Sequence, residues 1–218
     1  MHKYLGLALA STIRHDGHGG VADDLAGIDG LTGWVHDHAD LLDRADQTVG
    51  GTEGGTAVGG GWAAGFSADQ ASWSDVVALR QAVRALFAYA VRPGPPSPAD
   101  AHRLLPLDQA LDRLNAAAGR APVSPRLDWP AGGGPVLSTP SVGIDPVARL
   151  VSAVARDTMQ LLSGPRRSDL RACTAPRCVR YFLREHGRQE FCKTSCANRA
   201  RAARHYQRHR TTAVEAAG

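Results

Sequence analysis

No stretch of this 218-residue chain approaches the roughly 20 consecutive apolar residues that a helix needs to cross a bilayer, so a helical membrane protein is excluded and a soluble chain is expected. A convincing secretory leader is missing too. His2 and Lys3 precede a single short apolar run, Tyr4 to Ala10, at the lower limit for a signal core, and the residues after it continue the pattern of a fold. The expected compartment is therefore reducing and cytoplasmic, which disfavours disulfides. Internal repeats are absent, and cysteine is scarce. Acidic residues are scarce in one place only: residues 166–210 hold 13 Lys and Arg against Asp169, Glu185 and Glu190, a net of +10. Residues 1–165 hold 12 basic residues against 17 acidic ones, a net of −5, and Glu215 brings the chain to +4. An acidic body thus carries a basic end, the footprint of a segment that binds a polyanion.

The four cysteines all fall inside that basic end, as Cys173-x4-Cys178-x13-Cys192-x3-Cys196. Two close pairs separated by a loop suit a tetrahedral zinc ion, because each pair bites the metal from a knuckle or a helical turn. Four thiolates leave no position for water, so such a metal is structural and its binding energy is folding energy for a segment too short to bury a core. The site would carry a formal charge near −2, and Arg171, Arg177, Arg180 and Lys193 stand close enough in sequence to offset it. A competing two-Cys, two-His site would join Cys192 and Cys196 to His205 and His209. It fails on an intervening length of eight residues instead of about twelve, and it strands Cys173 and Cys178.

From Cys192 onward the chain has strong helix formers and neither Pro nor Gly through Arg210, which predicts a helix. Arg201, Arg204 and Arg208 recur on one side of it at spacings of three and four, a row able to track phosphates. Arg199 and Lys193 lie at its start and join the expected nucleic-acid contacts. Val179 to Leu183 alternates as a hairpin strand with Gly187 near the turn, so knuckle, hairpin and ligand-bearing helix follow in treble-clef order.

The run LRACTAPRCVRYFLREHGRQEFCKTSCANRARAARHYQRHR resembles the CGNR zinc finger, with Cys196-Ala197-Asn198-Arg199 in place of Cys-Gly-Asn-Arg and Phe191 where Trp is common. The opening LGLALASTIRHDGHGGVADDLAGIDGLTGWVHDH is similar to the ABATE domain that this family joins to the finger, although Ser11-Thr12 replaces the usual Asn-Thr. Later pieces, LRQAVRALF, ALDRLNAAAGRAP and DPVARLVSAVARDTMQLL, follow in order. The resemblance implies a stress-linked transcriptional regulator: a treble-clef finger for DNA, with one structural Zn(II), and an N-terminal domain that binds a small-molecule effector. The expected organisation is an ABATE-like domain over 1–165, a finger over 166–210 and a tail over 211–218.

Caps and periodicity place the helices of the body. Asp145-Pro146 opens one that runs through Val147, Leu150, Val151, Val154, Leu161 and Leu162 to Gly164-Pro165. Val76, Leu79, Val83, Leu86, Phe87 and Ala90 line a second, stopped at Pro93. Ser97-Pro98 caps a third, interrupted near Pro106 and resumed through Leu107, Leu111 and Leu114 to Gly119, and a fourth is expected around 29–44. Strands are expected at Leu5 to Ile13, Arg126 to Trp129 and Val136-Leu137, with residues 49–65 and 130–135 as Gly-rich loops. The predicted class is α+β, mainly helical with a small sheet.

An effector would be sought at the polar end of the first strand, Thr12 and Arg14, with Asn115 as a further contact. The alternative is that Thr12 and Asn115 satisfy backbone groups in a turn and at a helix end. Catalysis is not expected. His15, Asp16 and His18, and His36, Asp37 and His38, are local clusters without an identifiable nucleophile, and a treble-clef nuclease built on His186 and Asn198 lacks the residues to complete its site. RNA binding and protein interaction stay open beside DNA. A single small finger makes few contacts, which points weakly to a homodimer or to extra arms.

Overall fold

The computed structural model describes residues 3–18, 20–47, 61–100, 104–138 and 144–215. Seven helices and three two-stranded antiparallel ladders appear among them. The body comprises α1 (Leu5–Ala10), the ladder β1 (Ile13–His15) with β2 (Val21–Asp23), α2 (Ile28–Asp37), α3 (Ala39–Gln47), α4 (Gln70–Ala90), α5 (Leu107–Gly119), the ladder β3 (Arg126–Asp128) with β4 (Val136–Ser138), and α6 (Pro146–Ser163). The basic end follows as β5 (Leu170–Ala172), β6 (Tyr181–Leu183) and α7 (Thr194–Glu215). This is the mainly helical α+β arrangement expected, but the strands form three separate ladders in place of one small sheet.

Local chemistry sets the long helices. Asp69 caps α4 by accepting the Ser72 amide at 2.7 Å while the Ser72 hydroxyl accepts the Asp69 amide at 2.8 Å, a reciprocal box that satisfies two end groups. Asp145 accepts the Ala148 amide at 2.9 Å, with Pro146 at the first helical position, and the Gly164 amide closes the far end of α6 on the Gln160 carbonyl.

Three expectations need correction. Leu5 to Ile13 does not form one strand: its first six residues are α1, and all six are buried. With apolar neighbours on every side the segment has no polar face, so its sequence carries neither period. Around 29–44 the chain forms two helices, because α2 ends at His38, whose Nδ1 lies 2.8 Å from the Trp34 carbonyl. Of the helix expected from Ser97-Pro98, Pro98–Asp100 form a 3-10 turn and residues 104–106 are not helical, while residues 101–103 lie outside the described ones. The Gly-rich segment over 49–60 and the tail over 216–218 lie outside the described residues.

The central core joins α1, α4 and α6 through Leu5, Leu9, Phe87, Leu150 and Leu161, all at or below 1 % exposed. Gly6 sits where α1 meets α6, and a Cβ there would come within 2.3 Å of the Thr158 hydroxyl. Any larger residue would push these helices apart. The neighbouring Asp157 carboxylate accepts the Gly6 amide at 3.1 Å, yet burial lifts its pKa from the ordinary carboxylate range to about 6. A carboxyl raised in the folded state favours folding below its unfolded pKa, and that contribution is lost as pH rises through the folded value. Asp157→Asn keeps an acceptor for Gly6 and cannot ionise. Its stability relative to wild type should therefore increase between pH 4.5 and 7.5, by about 2 kcal/mol, as read from urea unfolding at the two pH values.

Candidate metal centre and nucleic-acid interface

Strand β6 divides two cores. Successive side chains of a strand point to opposite faces, and here Tyr181 enters the core of the body while Phe182 enters a second cluster formed with Cys173, Ala175, Cys178 and Cys196. Its partner is β5, paired Leu170 to Leu183 and Ala172 to Tyr181, so the first cysteine pair lies in the connection of this hairpin. The expected turn near Gly187 is present, with the Gln189 amide donating to the His186 carbonyl at 3.0 Å, but among the described residues β6 pairs backwards with β5 across the knuckle. Within that knuckle Arg177 adopts a left-handed backbone (φ 62°), uncommon for a residue with a side chain, and the Cys178 amide donates to the Ala175 carbonyl at 3.0 Å.

The four sulfurs lie within 4.8 Å of one another, with Cys178 to Cys192 at 3.7 Å and Cys192 to Cys196 at 3.5 Å. Zinc–sulfur bonds of about 2.3 Å in a tetrahedron put the sulfurs roughly 3.8 Å apart, so the donor set fits one Zn(II). Cys173, Cys178 and Cys196 are at most 3 % exposed. Hydrogen bonds from the neighbouring thiols, Cys173 foremost, hold Cys178 far below the usual thiol range, while the same crowding pushes Cys173 and Cys192 up. A divalent cation resolves that competition by stabilising all four thiolates at once.

Negative charge at the sulfurs is met from α7. Arg199 Nη2 lies 3.2 Å from Cys196 Sγ, and the Cys192 amide donates to Cys173 Sγ at 3.5 Å. Of the cations expected to help, Arg171 instead donates to the Ser168 and Leu170 carbonyls at 2.8 and 2.7 Å.

A buried polar network ties this centre to the body. Arg84 grips Asp100 through two nitrogens at 2.8 and 2.9 Å and reaches the Ala10 carbonyl at 2.5 Å. The Tyr181 hydroxyl donates at 2.7 Å to Asp100 Oδ2, the oxygen that Arg84 Nη2 also grips, and its ring stacks edge-on against Phe87 with the Arg84 guanidinium 5.3 Å above it. Burial, then the Asp100 charge, keeps that phenol un-ionised. The Val179 carbonyl, next to the ligand Cys178, accepts from the Ser97 hydroxyl at 2.8 Å and from Arg84 at 3.2 Å.

Residues 170–209 match the CGNR zinc finger, and residues 4–165 match ABATE, described as "Putative stress-induced transcription regulator". The chain belongs to the ABATE family. None of the curated proteins matches it. The CGNR finger and its four cysteines make the protein zinc-binding.

On the finger, Arg201, Arg204, Arg208 and Lys193 are exposed, whereas Arg199 is half-buried against its thiolate. Arg201 donates to the Asn198 side chain at 2.7 Å, while Arg204 and Arg208 lean back along the helix towards the carbonyls of Ala200 and Arg204. His205 is exposed on α7, and the side chain of His209 lies outside the described ones. In the ABATE portion, Thr12 is 3 % exposed, donates to the Leu9 carbonyl at 2.7 Å and accepts from Arg80 at 2.8 Å. Arg14 pairs with Asp24 at 2.6 Å in solvent, and Asn115 is exposed on α5. Thr12 thus lies just before β1 and Arg14 within it, whereas Asn115 is on α5.

The histidine clusters are engaged locally. His15 Nδ1 accepts the Gly17 amide at 2.7 Å, Asp16 accepts the His18 and Gly20 amides, and His36 Nε2 lies 2.8 Å from the Phe66 carbonyl. Sequence reasoning missed Arg80 and Arg84. Both lie on the stripe of Val76, Leu79, Val83 and Phe87, and an arginine inside an apolar stripe is itself the signal of a buried ion pair. Burial alone would raise the Asp23 carboxyl, but the two bonds from Arg80, at 2.5 and 2.7 Å, together with the Leu25 amide, bring it below the usual range.

Two outcomes follow. Arg199→Ala should retain the fold and weaken zinc binding by about 10–100-fold, measured by competition with a chromophoric chelator. Tyr181→Phe should cost about 1–2 kcal/mol and Arg84→Ala about 3–5 kcal/mol in urea unfolding. Both are expected to keep one zinc per chain at native conditions.

Proposed function

We propose that the protein is a zinc-dependent, DNA-binding transcription regulator of the cytoplasm, whose ABATE portion senses a small-molecule effector and which has no catalytic role. One observation carries the DNA reading. The exposed row Arg201, Arg204 and Arg208 extends along a helix whose first turn holds the ligand Cys196. Seven residues of α-helix advance about 10 Å, so the row presents three guanidinium groups to successive phosphates, and arginine grips phosphate with two parallel bonds. The net charge of +10 over residues 166–210 supports the same reading, and membership of a family described as transcription regulators agrees with it. Among the described residues no helix is long and apolar enough to cross a membrane.

The proposed division of labour assigns structure to the metal and recognition to the helix. With four sulfur donors, zinc supplies no open coordination position, and its work is to fix the start of α7 on the β5–β6 hairpin. A homodimer would supply the contacts that one finger lacks.

Affinity for duplex DNA should fall steeply with salt. Replacing Arg201, Arg204 and Arg208 together with Ala should flatten the log–log slope by up to about 3. Fluorescence anisotropy across a salt series measures this, and an unchanged slope would remove α7 as the contact surface.

A further inference from the structure

Between the body and the finger lies a groove of about 540 Å³ that neither the zinc centre nor the α7 arginines use. It is lined by the end of α4 and the turn that follows, Tyr89 to Gly94, and by Arg167, Ser168 and Arg171 of the finger's entry segment. Three arginines from two parts of the chain therefore line one groove. Among the described residues no carboxylate lines the groove, and none of the three has an ion-pair partner. Asp169 is close in sequence, but it is turned to Arg166 at 3.1 Å and Arg184 at 4.0 Å.

The three cations are positioned in different ways. Arg171 is half-buried, and its Nη1 is held by the Ser168 and Leu170 carbonyls, which leaves its other nitrogens uncommitted. Arg92 lies over the Tyr89 ring at 4.5 Å from its centre, a contact that fixes the guanidinium plane without neutralising it. Arg167 is exposed on the rim. Gathering three like charges around a concavity is unfavourable unless an anion enters, and oriented guanidinium forks match the oxygens of a phosphate. We propose that this groove binds a phosphate group, held by Arg92 from the body and by Arg167 and Arg171 from the finger. A ligand there touches both parts at once, so its binding would act on how they are joined. The proposal does not depend on DNA binding by α7.

Two sources share this chemistry, a free phosphorylated small molecule and a nucleic-acid backbone, and one set of variants separates them. Zinc-loaded full-length protein is titrated with inorganic pyrophosphate by calorimetry and with duplex DNA across a salt series. Arg92→Ala/Arg167→Ala spares Arg171, whose carbonyl contacts support β5, and Arg92→Lys/Arg167→Lys controls for charge without the fork. Saturable binding of one pyrophosphate per chain, weakened tenfold or more by the Ala pair and only partly restored by Lys, supports a free anion. Arg201→Ala/Arg204→Ala/Arg208→Ala should leave that affinity within twofold. Absence of pyrophosphate binding, with a DNA salt slope reduced by about 2 in the Ala pair, assigns the groove to a backbone phosphate. The proposal is overturned if the Ala pair, with wild-type circular dichroism and zinc content, changes neither measurement, or if the α7 variant weakens pyrophosphate binding equally. Loss of the salt slope in the α7 variant alone, with no pyrophosphate binding, would sink the groove and leave the DNA reading standing, whereas pyrophosphate binding by a protein that ignores DNA would do the reverse.

Discussion

A carboxylate in a protein core demands a cation and further donors, because an unpaired buried charge costs several kcal/mol. Asp100, 7 % exposed, meets that demand with Arg84 from α4 and the Tyr181 hydroxyl from β6. The consequence reaches beyond one ion pair. Arg84 also donates to Ala10 at the end of α1 and to Val179 beside the ligand Cys178, so one guanidinium ties the first helix, the central helix and the zinc knuckle together. If the finger moved away, the Val179 carbonyl would lose both its donors and Asp100 would lose the Tyr181 hydroxyl. The finger is therefore packed onto the body through a satisfied polar network, with Leu170 and Tyr181 buried in the same core as Phe87 and Leu5.

Alternation along β6 makes this possible within three residues. Tyr181 belongs to the body and Phe182 to the zinc cluster, so a change of register by one residue would exchange the two and break both cores. Zinc and body thus specify the same strand from opposite faces. The metal fixes Cys178 and Cys196, Arg84 and Ser97 fix the carbonyl next to Cys178, and α7 begins from a frame that both have set.

How much of this was legible in the sequence depends on the range of each interaction. The four ligands were readable because metal geometry imposes short spacings, and α4, α5 and α6 because caps and apolar stripes act within one or two turns. The first helix was not, since LGLALA is buried on all sides and shows no periodicity that distinguishes helix from strand. The pairing of β5 with β6 was missed because Gly187 marks a real turn beyond β6, whereas the β5–β6 connection holds Cys173 and Cys178 and carries no glycine to announce it. The Arg84 network was missed for a different reason. Its partners are 16 and 95 residues away, and nothing local distinguishes this arginine from a solvated one except its place on the apolar stripe.

Charge gives the attachment a further physical meaning. The finger segment carries a net of +10 and the chain before it a net of −5, so the molecule is a strong dipole whose two ends are held together by the Asp100 network. If the ends moved independently, a polyanion would attract the finger while the body swung freely. With both packed on one strand, the field that draws the basic end in also turns the acidic end, and the approach is oriented before contact. Such steering is screened within about 8–10 Å at physiological salt, so it would act only in the last stage of an encounter with a polyanion.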